Sequence, residues 1–196
     1  YRNPAMILAD GVIGQMMEKV VLSDQKPRME DKEIEEKYPW ATTGRAKQRK
    51  NNIVTSLELQ SEIMEQNNLR FQAKYKEIEE NEVRYEEIHC DDAEYMLVAF
   101  GCSARIGQKA CEIAREQGIK LGLLRPITLW PFPTKAIAKR AEQVKAMLSV
   151  ELNAGQMVED VRLAVNGQIP VEHFGRLGGI VFTPEEIVEA VKTKLM

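Results

Sequence analysis

Tyr95-Met-Leu-Val-Ala-Phe-Gly101-Cys-Ser-Ala-Arg-Ile-Gly107 decides the fold of this chain. Tyr95 to Phe100 is a short, almost wholly apolar run. Such a run suits a strand covered on both faces, as in a parallel sheet. At Gly101 the polarity changes and a helical pattern begins. Ile106, Ala110 and Ile113 recur at helix spacing, with Ala114 beside them, and Gly118 stops the pattern. The stretch predicts a strand, a tight glycine turn and a helix over 104–117. In open α/β sheets, ligands and partner loops settle at such a turn. Free N–H groups and the positive end of the helix dipole point outward there.

The same alternation runs to the end of the chain. Strands are predicted at Ile119 to Leu124, Ala146 to Leu152 and Val171 to Phe174. Between them, Thr134 is expected to cap a helix that buries Ile137, Ala141 and Val144. A second helix spans Gln156 to Val165, with Val158, Val161 and Val165 on one side, and Asn166-Gly167 ends it. Thr183-Pro-Glu-Glu186 is a strong helix start: a capping Thr, Pro in the first turn and Glu at the third helical position. Ile187, Val188, Val191 and Leu195 form the buried stripe of that last helix. Strands alternating with helices imply a mostly parallel sheet with helices on both faces, an α/β three-layer sandwich.

Upstream the pattern differs. Met6 to Ala9 reads as a strand, Asp10-Gly11 as a turn, and Val12 to Val21 as a helix with Met16, Met17 and Val20 on its stripe. One such β–α unit cannot bury both its faces alone. It opens beside a strand without a Met, so the expectation is that the chain was cut from a longer one. Ser23 to Gly44 is charged and lacks a core stripe, which predicts an extended arm, with Tyr38-Pro39-Trp40 as its anchor. Ser56 to about Asn81 has a period near 3.6 through Leu59, Ile63, Met64, Phe71, Tyr75 and Ile78, a long surface helix. Val83 to His89 alternates weakly, as an edge strand or connector does.

Composition excludes several classes. Of 196 residues, 44% are hydrophobic and 29% charged, and the net charge is −3, so nothing global calls for nucleic acid or an acidic membrane surface. No apolar run approaches the roughly 20 residues of a membrane span. Cys90, Cys102 and Cys111 fit neither C-x-x-C nor a common zinc or iron–sulfur spacing, and the only histidines are His89 and His173. No metal site is expected. Scattered thiols of odd number point to a reducing compartment, the cytoplasm.

The chemistry-bearing candidates are few. Gly101-Cys-Ser-Ala-Arg-Ile-Gly107 is neither G-x-G-x-x-G nor a P-loop. An anion can sit on the N–H groups after Gly101, with Ser103 and Arg105 helping. The plain reading, a strand-to-helix turn capped by Ser103, is preferred. Cys102 stands where a helix dipole lowers a thiol pKa, but no base lies near it in sequence. Arg45, Lys47, Arg49 and Lys50 form a basic cluster, read first as a solvated loop and second as a phosphate contact. Leu124-Arg-Pro-Ile-Thr-Leu-Trp-Pro-Phe-Pro133 is a stiff loop that helix and inner strand both refuse. Arg125, Glu151 and Arg176 follow successive strands and are expected to gather at one edge, as an ion-paired interface rather than a catalytic site. No catalytic residue is assigned.

Four stretches together carry a resemblance. Ala93-Glu-Tyr-Met-Leu-Val-Ala-Phe-Gly, Leu124-Arg-Pro-Ile-Thr-Leu-Trp-Pro-Phe-Pro, Val150-Glu-Leu-Asn-Ala-Gly-Gln-Met-Val-Glu-Asp-Val-Arg and Phe174-Gly-Arg-Leu-Gly-Gly resemble the alpha subunit of thiamine-diphosphate-dependent 2-oxoacid:ferredoxin oxidoreductases. The last two look most like the 2-oxoisovalerate (3-methyl-2-oxobutanoate) type. The resemblance implies three parts: residues 1–22 as the closing β–α unit of a pyrimidine-binding domain, 23–92 as the arm and long helix, and 93–196 as a transketolase C-terminal-like domain. It implies oxidative decarboxylation of a 2-oxoacid to an acyl-CoA by the whole complex, with thiamine diphosphate, magnesium and iron–sulfur clusters held elsewhere. It also implies partners: the other subunits, ferredoxin and coenzyme A, with a homodimer expected. The fragment alone is expected to be inactive and structural.

Two other classes stay open on the residues alone. One is a free-standing α/β module binding a phosphorylated ligand at the turn after Gly101. The other is a thiol enzyme acting through an acidic Cys102 beside a base.

Overall fold

The structure is a computed structural model, and it describes residues 1–17, 19, 29–42 and 53–196. The basic cluster from Arg45 to Lys50 lies outside the described residues. The chain forms two compact units, one of Tyr1–Met16 with Phe71–Met196 and one of Met17–Arg70.

At the N-terminus the expected strand is absent. Met6, Ile7 and Leu8 pair with no strand and are exposed, because one apolar segment without a sheet beside it has no ladder to join. The expected helix shortens to α1 (Gly11–Gly14), and Val20 and Val21 lie outside the described residues. Asp10 starts α1, accepting from the N–H groups of Val12 at 2.7 Å and Ile13 at 3.4 Å. In the smaller unit the arm is not wholly extended. It contains α2 (Asp31–Lys37), where Glu30 and Glu33 form a reciprocal capping box. Tyr38 and Trp40 meet in a tilted ring contact, 5.7 Å between ring centres. The long helix, α3 (Ser61–Asn81), begins five residues later than its periodicity suggested, and Ile78 is its only buried residue.

The larger unit carries the sheet. Its strands are β1 (Tyr85–Ile88), β2 (Tyr95–Val98), β3 (Leu121–Pro126), β4 (Ala146–Glu151) and β5 (Val171–Gly175), in spatial order β1-β3-β2-β4-β5. β1 runs antiparallel to β3 at one edge; every other pair is parallel. The helices are α4 (Gly101–Glu116), α5 (Thr134–Ala141), α6 (Met157–Val165) and α7 (Pro184–Leu195).

Alternation within each strand sorts the core into two layers. Met96, Val98, Leu124 and Met147 point to the face covered by α5 and α6. Leu97, Ala99, Leu123, Leu148 and Val150 point to the face covered by α4 and α7. Each fully buried aliphatic side chain contributes roughly 1.5–3 kcal/mol relative to exposure. The result is the expected three-layer sandwich with a mostly parallel sheet.

Two expectations at the joints need correction. Thr134 is the first residue of α5, not its cap; Pro133 stands at the N-cap and offers no side-chain bond. Pro126 belongs to an inner strand. It is tolerated because the β2 ladder on β3 stops at Leu124, so Pro126 opposes only Tyr85 of β1.

The β1–β2 connector is held by two arginines. Arg115 of α4 donates to the carbonyls of Leu121 at 2.9 Å and His89 at 2.7 Å, and to both carboxylate oxygens of Asp92 at 2.7 and 3.1 Å. Arg140 of α5 donates to both oxygens of Glu87 at 2.9 and 2.6 Å, to Asp91 at 3.2 Å and to the Cys90 carbonyl at 3.2 Å. These bonds hold the Glu87 carboxyl below the usual range against the opposing pull of burial. The connector crosses β3 so closely that a Cβ on Gly122 would sit 3.0 Å from the His89 carbonyl oxygen. Arg140 is 9% exposed, so its loss strands a partly desolvated carboxylate. Arg140→Ala is expected to lower the unfolding free energy by roughly 2–3 kcal/mol, less than a fully buried pair because Glu87 keeps some water contact. Urea denaturation measures this, and a loss below about 0.5 kcal/mol would remove the clamp from the account.

Candidate functional site at the carboxyl edge of the sheet

The chain leaves β2 for β3 on one side, then returns past it to β4 on the other. The crevice where the order reverses lies at the carboxyl ends of β2 and β4, the place where doubly wound sheets take ligands. Two helix N-termini open there, those of α4 and α6.

At the first, Gly101 takes φ +55°, which only glycine adopts readily, and α4 starts on it directly. Ser103 is not a cap. It is buried inside the first turn of α4, and Phe100 at the N-cap provides no side-chain bond. Arg105 points outward, one turn along. Cys102 is buried, and its thiol is pushed up rather than down, by burial first and by the Asp10 carboxylate second. Cys111 is pushed up to about 12 by burial, with Cys90 adding to it, and Cys90 is raised by burial too. All three thiols are free and buried.

At the second, Glu151 ends β4 and is 1% exposed. Its carboxylate accepts from the N–H groups of Gln156 at 3.0 Å, Met157 at 2.8 Å and Val158 at 2.9 Å, and from the Ser149 hydroxyl at 2.9 Å. Burial pushes its pKa up, but these four donors outweigh it and the group ends below the ordinary glutamate range. His173 Nε2 lies 3.9 Å from the same carboxylate and has no hydrogen-bond partner. The imidazole is wedged against Gly155 and Gly175. A Cβ on Gly175 would lie 2.3 Å from the Asn153 carbonyl oxygen and 2.6 Å from the ring.

The three expected interface residues lie at the ends of β3, β4 and β5 and bond locally, the Arg176 N–H donating to the Glu151 carbonyl at 3.2 Å. Arg125 pairs with Glu86 across β1–β3 at 2.9 Å. Arg176 follows β5 and pairs with Glu186 in the first turn of α7. Glu151 stays internal, separated from β3 by β2. Each charge satisfies the nearest helix start or strand neighbour. Sequence reading missed His173 as a neighbour of Glu151. The register Ser149↔His173 puts both on one face, a relation visible only once β4 and β5 are paired. Exposed apolar side chains flank this edge: Ile127, Leu129 and Trp130 after β3, and Leu177 and Ile180 after β5. Tyr75 of α3 meets Trp130 edge-on at 5.8 Å. Among the described residues, no group of three or more His, Cys, Asp or Glu side chains is placed to hold a metal ion.

This doubly wound domain is of a known kind. Residues 93–187 match the pyruvate:ferredoxin oxidoreductase core domain II. It is 42% identical over 194 residues, 98% of its length, to ketoisovalerate oxidoreductase subunit VorB of Methanothermobacter marburgensis, covering 53% of that protein. It is 34% identical over 101 residues to 2-oxoglutarate synthase subunit KorA of the same organism, which is 52% of this chain and 27% of that one. The chain spans about half the length of the VorB relative. Among solved structures, a 2-oxoglutarate:ferredoxin oxidoreductase from Magnetococcus marinus, with 2-oxoglutarate, coenzyme A and succinyl-CoA bound, shares the fold. Its TM-score is 0.62 at 19% identity, over 74% of this chain and 27% of that one.

The raised, buried thiols carry an expected outcome. At pH 7.5 the folded protein should react with a thiol-specific disulfide reagent at least ~100-fold more slowly than the unfolded chain. Labelling of Cys102 at the rate of a free thiol would contradict this geometry.

Proposed function

We propose that the chain is part of a 2-oxoacid:ferredoxin oxidoreductase of the 2-oxoisovalerate type, which oxidatively decarboxylates a 2-oxoacid to an acyl-CoA. The observation that carries the reading is the 42% identity to a ketoisovalerate oxidoreductase subunit along 98% of the chain. In this reading residues 1–22 close a pyrimidine-binding domain, 23–92 are arm and helix, and 93–196 are the scaffold domain. The exposed, unpaired Met6-Ile7-Leu8 run supports the first part, since a segment apolar on both faces is a sheet strand awaiting neighbours. Thiamine diphosphate, magnesium and the iron–sulfur clusters belong to the rest of the complex. The described residues do not fit them: the three thiols are free and buried, and no three His, Cys, Asp or Glu side chains are grouped to hold a metal ion. No step of the reaction is therefore routed through these side chains.

The contribution of this chain is assembly. Its carboxyl edge presents Arg125 and Arg176, each partly exposed and each already oriented by a local carboxylate, between two exposed apolar loops. Such a rim suits subunit contact. The partners are the other subunits and a second copy of the chain, with ferredoxin and coenzyme A reached through the complex. The cytoplasm is the compartment, supported by three free thiols; no helix among the described residues is long and apolar enough to cross a membrane.

The test is reconstitution of the complex with and without residues 93–196. Loss of assembly and of 2-oxoacid-dependent ferredoxin reduction is expected without them, and unchanged assembly and rate would defeat the scaffold reading. Arg125→Glu with Arg176→Glu in the full complex should leave the melting temperature of the chain within a few degrees while weakening subunit association at least ~10-fold, measured by sedimentation.

A further inference from the structure

Tyr1–Met16 and the sandwich belong to one compact unit, and the segment is held near both ends. Near its start, the Lys74 ammonium of α3 donates to the Asn3 side-chain carbonyl at 2.7 Å. Tyr75, the next residue along α3, meets Trp130, so this contact lies near the loop that follows β3. Towards the other end, α1 packs against α4. The Asp10 carboxylate stands close enough to Cys102, in the first turn of α4, for its charge to act on that thiol. Here the segment has reached the carboxyl end of β2, the strand paired with β3. Met6, Ile7 and Leu8 in between are 82%, 95% and 71% exposed.

Burial within the segment is uneven. Of residues 1–17, Asp10 and Ile13 are half-buried and all the others are exposed. A helix of four residues is too short to hold itself, since the first turn fixes several residues for one hydrogen bond. α1 therefore relies on the Asp10 cap and on Ile13, its one half-buried side chain. The hold at Asn3 is weaker, because an exposed hydrogen bond replaces one to water at little net gain. A backbone open to water with a single apolar anchor belongs to the low end of local stability, far below the sealed sheet.

We propose that Ile13 is a latch: it fastens residues 3–14 as a strap over the first turn of α4, and the strap opens and closes while the sandwich stays folded. Closed, it covers the α4 side of the crevice where the strand order reverses. Open, it leaves the start of α4 to solvent. The inference goes beyond the oxidoreductase reading and does not rest on it. Cys102, 5% exposed in the first turn of α4, reports the strap, and Cys111, 0% exposed further along the same helix, reports the sandwich.

The experiment is the labelling rate of each cysteine by a thiol-specific disulfide reagent at pH 7.5, resolved by peptide mass spectrometry. It compares the native chain with Ile13→Asp, Val12→Asp and Lys74→Gln. In Ile13→Asp, Cys102 should label at least ~5-fold faster relative to Cys111 than in the native chain. The added carboxylate by itself slows a thiolate reaction, so acceleration reports uncovering. A smaller rise, or an equal rise at Cys111, overturns the proposal. Val12 is 48% exposed, and Val12→Asp brings the same charge without touching the latch, so a rise there as large as in Ile13→Asp overturns it too. Lys74→Gln should accelerate Cys102 less than Ile13→Asp does; the reverse order places the fastening at Asn3 and overturns the latch. If Ile13→Asp does not fold, Asp10→Ala against Asp10→Asn decides. Both remove the charge beside Cys102, and only asparagine keeps a good helix cap. Asp10→Ala should label Cys102 at least ~3-fold faster than Asp10→Asn, and a smaller difference overturns the proposal.

Discussion

A sheet covered on both faces leaves no room inside it for an unpaired polar group. That constraint organises the larger unit. Met96, Leu97, Val98, Leu123, Leu148 and Val150 are sealed from water, and their backbone groups are satisfied by neighbouring strands. Polar side chains are driven to the two ends of the strands, where backbone groups at turns and helix starts still want partners. The charges at these ends are used first to complete the fold.

The two ends solve the problem differently. At the amino end, cations from the helices reach in. Arg115 and Arg140 take hold of carbonyls and carboxylates on the β1–β2 connector from opposite faces, and fix the one antiparallel strand to the parallel set. At the carboxyl end, anions from the strands and loops reach toward helix starts. Asp10 serves α1, Glu151 serves α6, and Glu186 closes a box with Thr183 while accepting from Arg176. Carboxylates at helix N-termini are favoured by the dipole and by the free N–H groups together. The α6 start is filled from within by Glu151, and Ser103 is buried in the first turn of α4.

Much of this was legible in the chain. Tyr95–Phe100, Ala146–Leu152 and the Thr183-Pro-Glu-Glu box are local signals, and local geometry obeyed them. The alternation of strand and helix gave the layers, because periodicity reports which faces are buried. Failures cluster where a residue's fate depends on what it meets. Met6 to Ala9 has strand composition but meets no neighbouring strand among the described residues, so it forms no ladder. Cys102 sits at a helix start, yet burial and Asp10 raise its thiol, and neither is visible from position 102 alone. Arg125, Glu151 and Arg176 each follow a strand, yet strand order places β2 between the first two, and each binds a different partner.

The sequence by itself determined the class of fold, the sites of its turns and its kinship, since apolar periodicity, glycine and capping residues act within a few positions of one another. Tertiary structure alone decided the strand order, the burial of Glu151 against α6 and the placing of His173 beside it. Those depend on register between segments far apart in the chain, and the force that sets register is the simultaneous burial of both faces of the sheet, which no single segment encodes.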